Sequence, residues 1–405
     1  MFHRRKLVAE AIRGRREDTP GSQFLPAGRG EDSVFEAEGQ LLEERGHEVL
    51  RFTAHNDAIQ DMSRLQAARA TLWNGDMYSK IAEVAAGFRP DVAHFHNTFP
   101  LISPAGYYAA REQGAAVVQT LHNFRLACAN ALFFREGKPC EDCLGRSFGW
   151  PAVRHSCYRG SRLGSFVTAL MVNRHRARGT WQRAVDRYIV LTEFARERFV
   201  RAGLPEPKLA VKPNFVPDPG VGTHEGGYAL FVGRLSVEKG VSTLLDAWRI
   251  VGESLPLKIA GDGPLAAEVG AASGSGGVAW VGARPKSEVQ DLMRSAKVLV
   301  VPSICYEGCP MALVEAKASG LPVVASDLGA MGTMVEPRKT GLLFRAGDPQ
   351  ALAEAALEMD RDPELRRVCA EGARLDYLRA YSPDASYQST LEIYEAALSE
   401  FKSKK

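Results

Sequence analysis

Short apolar runs alternate with segments of helical period along nearly the whole chain. In the first half, His47–Phe52, Asp91–His96, Ala115–Leu121 and Arg187–Leu191 read as strands. The pattern resumes after Pro213 with Tyr228–Val232, Leu257–Ala260, Val278–Val281, Lys297–Val301 and Pro322–Ala325. Between these runs, Val34–Arg45, Asp76–Ala86, Glu193–Ala202, Val241–Val251 and Met311–Ser319 place apolar residues at helical spacing. Alternating strand and helix signals predict parallel sheets covered by helices, because each parallel connection needs a crossover. The fold class is α/β and doubly wound.

The stretch from Lys212 to Gly227 interrupts this order with three prolines and four glycines. A boundary there divides the chain into domains of residues 1–215 and 216–380, each of a size that one core supports. Residues 381–405 read as a C-terminal helix that can pack on either domain, including back on the first. The N-terminus fits less well. A first strand is expected to end near residue 25, but residues 14–28 (GRREDTPGSQFLPAG) offer no apolar run, and Lys6–Ile12 reads as a short helix.

Composition narrows the class. Of 405 residues, 45% are hydrophobic and 24% charged, ordinary for a soluble protein. A net charge of +3 is too small to argue for nucleic acid. No apolar run approaches the roughly 18 residues of a membrane span. The basic N-terminus lacks the apolar core of a secretion signal, so the expected location is cytoplasmic. Seven cysteines without such a signal do not suggest a disulfide framework.

Three loops in the second half carry chemistry. In YALFVGRLSVEKG a strand runs into Gly233, where backbone can approach a ligand, and Arg234 and Lys239 supply cations for a diphosphate. LKIAGDGP ends another strand in a tight turn of Gly261, Asp262 and Gly263. In VPSICYEGCPMALVEA, Glu307 and Gly308 precede a helix that starts at Pro310. The amides around Cys309, Met311 and Ala312 favour an anion there, and Glu315 falls in the helix's second turn. Two carboxylates beside an anion site suit sugar hydroxyls, for which they are good acceptors.

Glu307 and Glu315 form an E-x7-E pair, preceded in order by GRLSVEKG and AGDGP. This set resembles the donor domain of retaining GT-B glycosyltransferases of family 4. The resemblance implies two Rossmann-like domains facing a deep interdomain cleft. It implies that Arg234 and Lys239 hold the diphosphate of a UDP- or GDP-type sugar donor and Glu315 its ribose. Glu307, with the amides of Gly308 to Ala312, would contact the transferred sugar, and no catalytic metal would be needed.

By the same resemblance the N-terminal domain takes a glycan, lipid-linked or small-molecule acceptor. Gly30, Glu31 and Asp32 match three positions of an acceptor loop, with Arg29 in place of its first glycine. Two strands end in His-Asn, at His96-Asn97 and His122-Asn123. His122 has its family counterpart across the cleft, near the reaction centre, and is the expected catalytic partner of Glu307. His96 and Asn97 read either as acceptor contacts or as satisfied polar groups. Thr192, beside Glu193, matches another interdomain position.

Residues 120–160 form an insertion with Cys128, Cys140, Cys143 and Cys157. The C-x2-C core has the spacing of a structural zinc site that would staple a segment lacking its own core. Five arginines between Arg174 and Arg187 suit a peripheral membrane contact or a polyanionic acceptor, and equally a solvated helix face. Asp360–Asp362 superficially matches an Asp-x-Asp metal motif but follows the last strand candidate. A nucleotide-dependent oxidoreductase would need G-x-G-x-x-G after a strand, and neither half has it. The apparent lack of a first strand leaves an impaired nucleotide-sugar binder as the alternative to an active transferase.

Overall fold

The structure is a computed structural model that describes residues 6–12, 30–54, 56–59 and 61–404; for 6–12, 30–32, 56 and 57 the description is of the backbone alone. The first half contributes β1 (Lys6–Ile12), β2 (Glu48–Ala54), β3 (Val92–Phe95) and β4 (Ala116–Leu121). A small hairpin, β5 (Phe134–Arg135) and β6 (Lys138–Pro139), precedes β7 (Arg187–Val190) and β8 (Leu209–Val211). The second half contributes β9 (Ala229–Val232), β10 (Leu257–Ala260), β11 (Val278–Gly282), β12 (Val298–Val301), β13 (Val323–Ser326) and β14 (Gly341–Phe344). They assemble into two six-stranded sheets, ordered β2-β1-β3-β4-β7-β8 and β11-β10-β9-β12-β13-β14. Every pairing within these two sheets is parallel. Parallel strands are covered on both faces, which is why β3, β4, β12 and β13 are buried at every position.

Lys6–Ile12 is a strand, not the helix its sequence suggests. Both its edges are filled, by β2 from Lys6–Glu48 to Ile12–Ala54 and by β3 from Leu7–Val92 to Glu10–Phe95. Ala9, Glu10 and Ala11 favour helix, but such preferences amount to under about 1 kcal/mol per residue. Two hydrogen-bonded neighbours and a central position in the sheet outweigh them. The expected interruption over residues 14–28 lies outside the described residues.

Each sheet reverses its winding once, between β1 and β3 in the first and between β9 and β12 in the second. At such a switch point the loops leaving adjacent strands diverge to opposite faces. A crevice therefore opens at the carboxyl ends, where doubly wound proteins bind ligands.

The chain crosses between the halves twice, along neighbouring paths. Tyr377 Oη donates to the Val216 carbonyl at 3.0 Å, and Arg374 Nη1 meets Asp218 Oδ1 at 2.8 Å. The last helix, Pro383–Ser403, then lies on the first sheet. Its stripe of Tyr387, Leu391, Tyr394, Ala397 and Phe401 packs with Val92, Val118 and Ile189 of β3, β4 and β7. Burying each large apolar side chain of that stripe is worth roughly 1.5–3 kcal/mol, so the C-terminus is a working part of the N-terminal core.

Candidate active site

The three loops singled out in the second half form one wall at the second switch point. After β9 the chain passes Gly233 and Arg234, makes a turn over Val237–Lys239 and enters the helix Val241–Val251. Gly240 has φ +69°, and a Cβ there would fall 1.9 Å from the Pro302 carbonyl oxygen, so the loops after β9 and β12 touch backbone to backbone. Ile304 N–H donates to the Glu238 carbonyl across the same seam at 2.9 Å. On the other side, a Cβ at Gly261 would fall 1.9 Å from the Gly233 carbonyl oxygen. Leu235 N–H donates to the Asp262 carbonyl at 2.9 Å, while Gly263 N–H donates to Asp262 Oδ1 at 2.7 Å. The side chain of Asp262 therefore shapes its own turn.

Charge is distributed unevenly along this wall. Lys239 Nζ lies 2.6 Å from Glu307 Oε1, which also accepts from Ser303 Oγ at 2.7 Å. Burial opposes the Lys239 charge, but the adjacent Glu307 carboxylate outweighs it and the ammonium pKa rises above its ordinary value. Arg234, by contrast, is exposed and has no ion pair among the described residues. Cys309 and Pro310 are buried, and burial pushes the Cys309 thiol up to about 11, so it stays a neutral thiol.

The helix Met311–Ser319 begins after Pro310 with no side-chain cap, and its first bonds run from Leu313 and Val314 to the Pro310 carbonyl. The amides of Met311 and Ala312 belong to the orphan donors of a helix start. Glu315 follows in the second turn. Burial raises its carboxyl pKa, with Lys286 opposing.

The first sheet presents two histidines at adjacent strand ends. His96 follows β3 and His122 follows β4, with His96 Nδ1 3.0 Å from His122 Nε2 and the rings stacked at 5.2 Å. The asparagines after them do matching work. Asn97 Oδ1 accepts from Phe99 N–H and Asn123 Oδ1 from Arg125 N–H, each at 3.1 Å, so each closes the turn leaving its strand. A pocket opens here, lined by His96, Asn97, Gln119, His122, Asn123 and Arg125 among others. Thr192 is buried and caps the helix Glu193–Arg201, accepting from Ala195 N–H at 3.2 Å. Gly30, Glu31 and Asp32 lie at the start of the helix Gly30–Glu44; their side chains are outside the described residues.

The two sides meet through the loop that carries Glu307. Tyr306 packs edge-on against Phe194 at 4.7 Å and faces Phe133 at 6.1 Å, both in the first half. A Cβ at Gly308 would lie 2.9 Å from the His122 carbonyl oxygen. Glu307 thus sits between two anchors on the opposite domain, one apolar and one a backbone approach. The sequence reading missed Tyr306, and also Glu38 and Lys212, which lie behind His96. Glu38 had left a signal, a charge on the apolar stripe of Val34, Phe35, Leu41 and Leu42.

Residues 34–218 match the profile of Glycosyltransferase Family 4, and residues 226–362 that of Glycosyl transferases group 1. The chain belongs to glycosyltransferase family 4. It is similar to an uncharacterized glycosyltransferase of Methanocaldococcus jannaschii, 31% identical over 177 residues, 42% of this chain and 49% of that one. It is also similar to the phosphatidyl-myo-inositol mannosyltransferase of Mycobacterium leprae, 36% identical over 179 residues, 42% of this chain and 46% of that one. The chain spans about half the length of the curated relatives it matches. Among solved structures, Anabaena HepE in complex with UDP aligns at a TM-score of 0.66 and 16% identity, covering 97% of this chain and all of that one. The two Rossmann-like halves are those of the GT-B fold.

Other features of this family 4 glycosyltransferase have structural employment. In the 120–160 insertion, burial lifts the Cys143 thiol to about 11, with Cys128, Cys157 and Cys140 near enough to add to it, and Cys128 Sγ donates to Asn130 Oδ1 at 2.9 Å. Among the described residues, however, the metal-ligating atoms gathered within 4.8 Å of one another belong to Glu38, His94 and His96, not to the cysteines. The arginine run is divided: Arg174, Arg178 and Arg183 are exposed, whereas Arg176 and Arg187 are drawn into the fold. Arg176 donates to the carbonyls of Arg146 and Ala202, both at 2.9 Å, tying the insertion to the domain, and Arg187 pairs with Glu400 of the last helix. Asp362 caps the helix Pro363–Asp376 and Asp360 holds Lys297 at 2.8 Å. Among the described residues, no helix is long and apolar enough to cross a membrane.

Proposed function

We propose that this protein transfers a sugar, with retention of anomeric configuration, from a nucleotide-diphosphate sugar to a glycan or lipid-linked acceptor. One observation carries the reading. Arg234, Lys239, Glu307 and the orphan amides of Met311 and Ala312 share the wall of the second switch point, and the Gly308 backbone is set against His122. The exposed Arg234 guanidinium is suited to bind two diphosphate oxygens at once, with Lys239 and the helix start adding positive potential as charge develops on the leaving group. Glu307 and Glu315 accept hydrogen bonds from sugar and ribose hydroxyls. The cavity beside His96, Asn97 and Arg125 receives the acceptor. The UDP bound by the Anabaena neighbour supports a uridine donor. The incorporation of β1 in the first sheet favours an active enzyme over an impaired binder.

A thermal-shift screen against UDP-, GDP-, ADP- and TDP-sugars tests the donor half directly, since a ligand that binds only the folded state raises the midpoint. The expected result is a rise with one nucleotide class, lost in the double variant Arg234→Ala, Lys239→Ala. Unchanged donor affinity in that variant overturns the assignment.

A further inference from the structure

From Leu144 to Val185 the chain has eight arginines and neither aspartate nor glutamate, where its overall 48 acids in 405 residues would place about five. All of these arginines except Arg176 are exposed, and none of the exposed ones is in an ion pair among the described residues. The acids that flank the segment are held by other cations. Glu141 is held by Arg198 and Arg201 at 3.0 Å each, Asp142 by Arg135 at 2.9 Å and the buried Asp186 by Arg111 at 2.7 Å. Glu136, at the margin, faces Arg135 at 3.9 Å and His155 at 4.0 Å. The positive charge of this surface is therefore largely uncompensated.

Apolar side chains share that surface. Trp150 is 61% exposed and Leu163 56%, on the short helix Trp150–Arg154 and the helix Arg162–Ala177, which pack on each other. The Phe148 ring centroid lies 4.6 Å from that of Trp150 and 5.8 Å from that of Phe166, joining the two helices through one aromatic group. Helical spacing puts Arg154 on the face of Trp150, and Arg174 on the stripe of Leu163, Phe166 and Leu170. Exposed apolar groups ringed by cations are the pattern of an interfacial membrane contact, with tryptophan at headgroup level. The surface adjoins the cleft, because Arg125 and Leu126 line both the pocket beside His122 and a second hollow bounded by Arg146, Phe148 and Gly149.

We propose that this face docks on an anionic lipid bilayer, with Trp150 and Leu163 entering the headgroup boundary and the arginines pairing with lipid phosphates. Charge complementarity selects an anionic partner, and the apolar pair selects a bilayer among anionic partners. A soluble polyanion satisfies the arginines but leaves Trp150 and Leu163 in water, whereas a bilayer takes both at once. Arginine suits the contact, since its planar fork binds two phosphate oxygens together. The consequence for function rests on the glycosyl-transfer reading, whereas the docking itself does not. On that reading the surface holds the acceptor pocket against the membrane that carries a lipid-linked acceptor.

Flotation of the full chain with vesicles of phosphatidylcholine alone, or with about one third phosphatidylglycerol, tests the surface without any sugar nucleotide. Binding is expected to the anionic vesicles only, and should weaken as salt screens the exposed charges. In the triple variant Arg154→Gln, Arg162→Gln, Arg174→Gln the partition coefficient should drop on the order of 100-fold, and in Trp150→Ala, Leu163→Ala roughly 10-fold or more. Lipids brominated near the headgroup should quench wild-type tryptophan fluorescence, and less so in Trp150→Phe. Absence of wild-type flotation with anionic vesicles, or equal flotation with neutral ones, overturns the proposal even if no variant folds. So does wild-type fluorescence that the brominated lipids leave unquenched. Binding that needs the arginines but is unmoved in a folded Trp150→Ala, Leu163→Ala, and is matched by binding to heparin, assigns the face to a soluble polyanion and overturns it too. If vesicles bind as expected while no sugar nucleotide supports transfer, the functional reading fails and the docking surface stands.

Discussion

Lys239 Nζ and Glu307 Oε1 stand 2.6 Å apart, so two residues expected to grip different parts of one donor here grip each other. The pair is physically reasonable. Glu307 is largely buried beside Ser303, and without a cation its charge would be poorly compensated. A diphosphate entering the loop after β9 offers Lys239 a second anion. The ammonium must then turn from Glu307 or bridge both, which leaves the carboxylate available to a hydroxyl. Replacing Lys239 by Met should therefore lower donor affinity by roughly 10-fold or more, in line with about 1.5–3 kcal/mol for a charged hydrogen bond. It should also lower the melting temperature of the unliganded protein. Calorimetric titration with the nucleoside diphosphate decides the first point; equal affinity in variant and parent would show that Arg234 and the helix start suffice.

Tyr306 predicts a different loss. Its ring joins the Glu307 loop to Phe194, with Arg198 5.7 Å from the ring centroid, and aromatic contacts of this kind contribute about 0.5–1.5 kcal/mol beyond burial. Tyr306→Ala should loosen the loop from the first domain without touching the cations of the second. Donor binding is expected to change by less than about threefold, and kcat/KM for transfer to fall by roughly tenfold. Binding and turnover falling by the same factor would mean that Tyr306 shapes the donor site rather than the seam between domains.

The legible and illegible parts of the sequence separate along a physical line. The second-half loops could be read because each function-bearing residue sits within a few positions of the glycine or helix start that presents it, as with Gly233 and Arg234 or Glu307 and Pro310. Strands such as β12, with the sequence VLVV, announce themselves because burial on both faces leaves no polar position. Lys6–Ile12 could not be read, since its strand state comes from β2 and β3, contributed by residues some 40 and 85 positions away. The cluster behind His122 is of the same kind: Glu38, His96, His122 and Lys212 come from four separate elements, and only the sheet order makes them neighbours.

Gly240 supplies a steric test of the layered wall. With φ +69° and a Cβ position 1.9 Å from the Pro302 carbonyl oxygen, Gly240→Ala must push apart the loops after β9 and β12. A loss of at least about 1–2 kcal/mol is expected from backbone strain alone, with weaker donor binding. Gly87→Ala is the control. It lies in the helix Gly75–Phe88, nothing stands within 4 Å of its Cβ position, and alanine there should be neutral or stabilising by up to about 1 kcal/mol. Urea midpoints of the two variants should move in opposite directions or, at the least, by clearly different amounts.

The buried histidines set a pH dependence whose sign follows from linkage. His94 and His96 have folded-state pKa values well below 6.5, because burial disfavours their charged forms. Their contribution to stability is therefore fully present above about pH 6.5, where neither state binds the protons. As pH falls below that value the unfolded chain takes up protons that the folded one refuses, and stability declines. The limiting slope is about 1.4 kcal/mol per pH unit for each histidine, until the folded-state values are reached. The facing groups are Glu38, Lys212, His122, Tyr394 and Thr120, and Glu38 adds a loss in the same direction only at lower pH, because its folded pKa lies below its ordinary 4.5. Chemical denaturation from pH 7.5 to 5.5 should show the decline in the wild type and a shallower one in His94→Gln. A flat profile across that window would mean that the two imidazoles take up protons as readily in the folded protein as in the unfolded one.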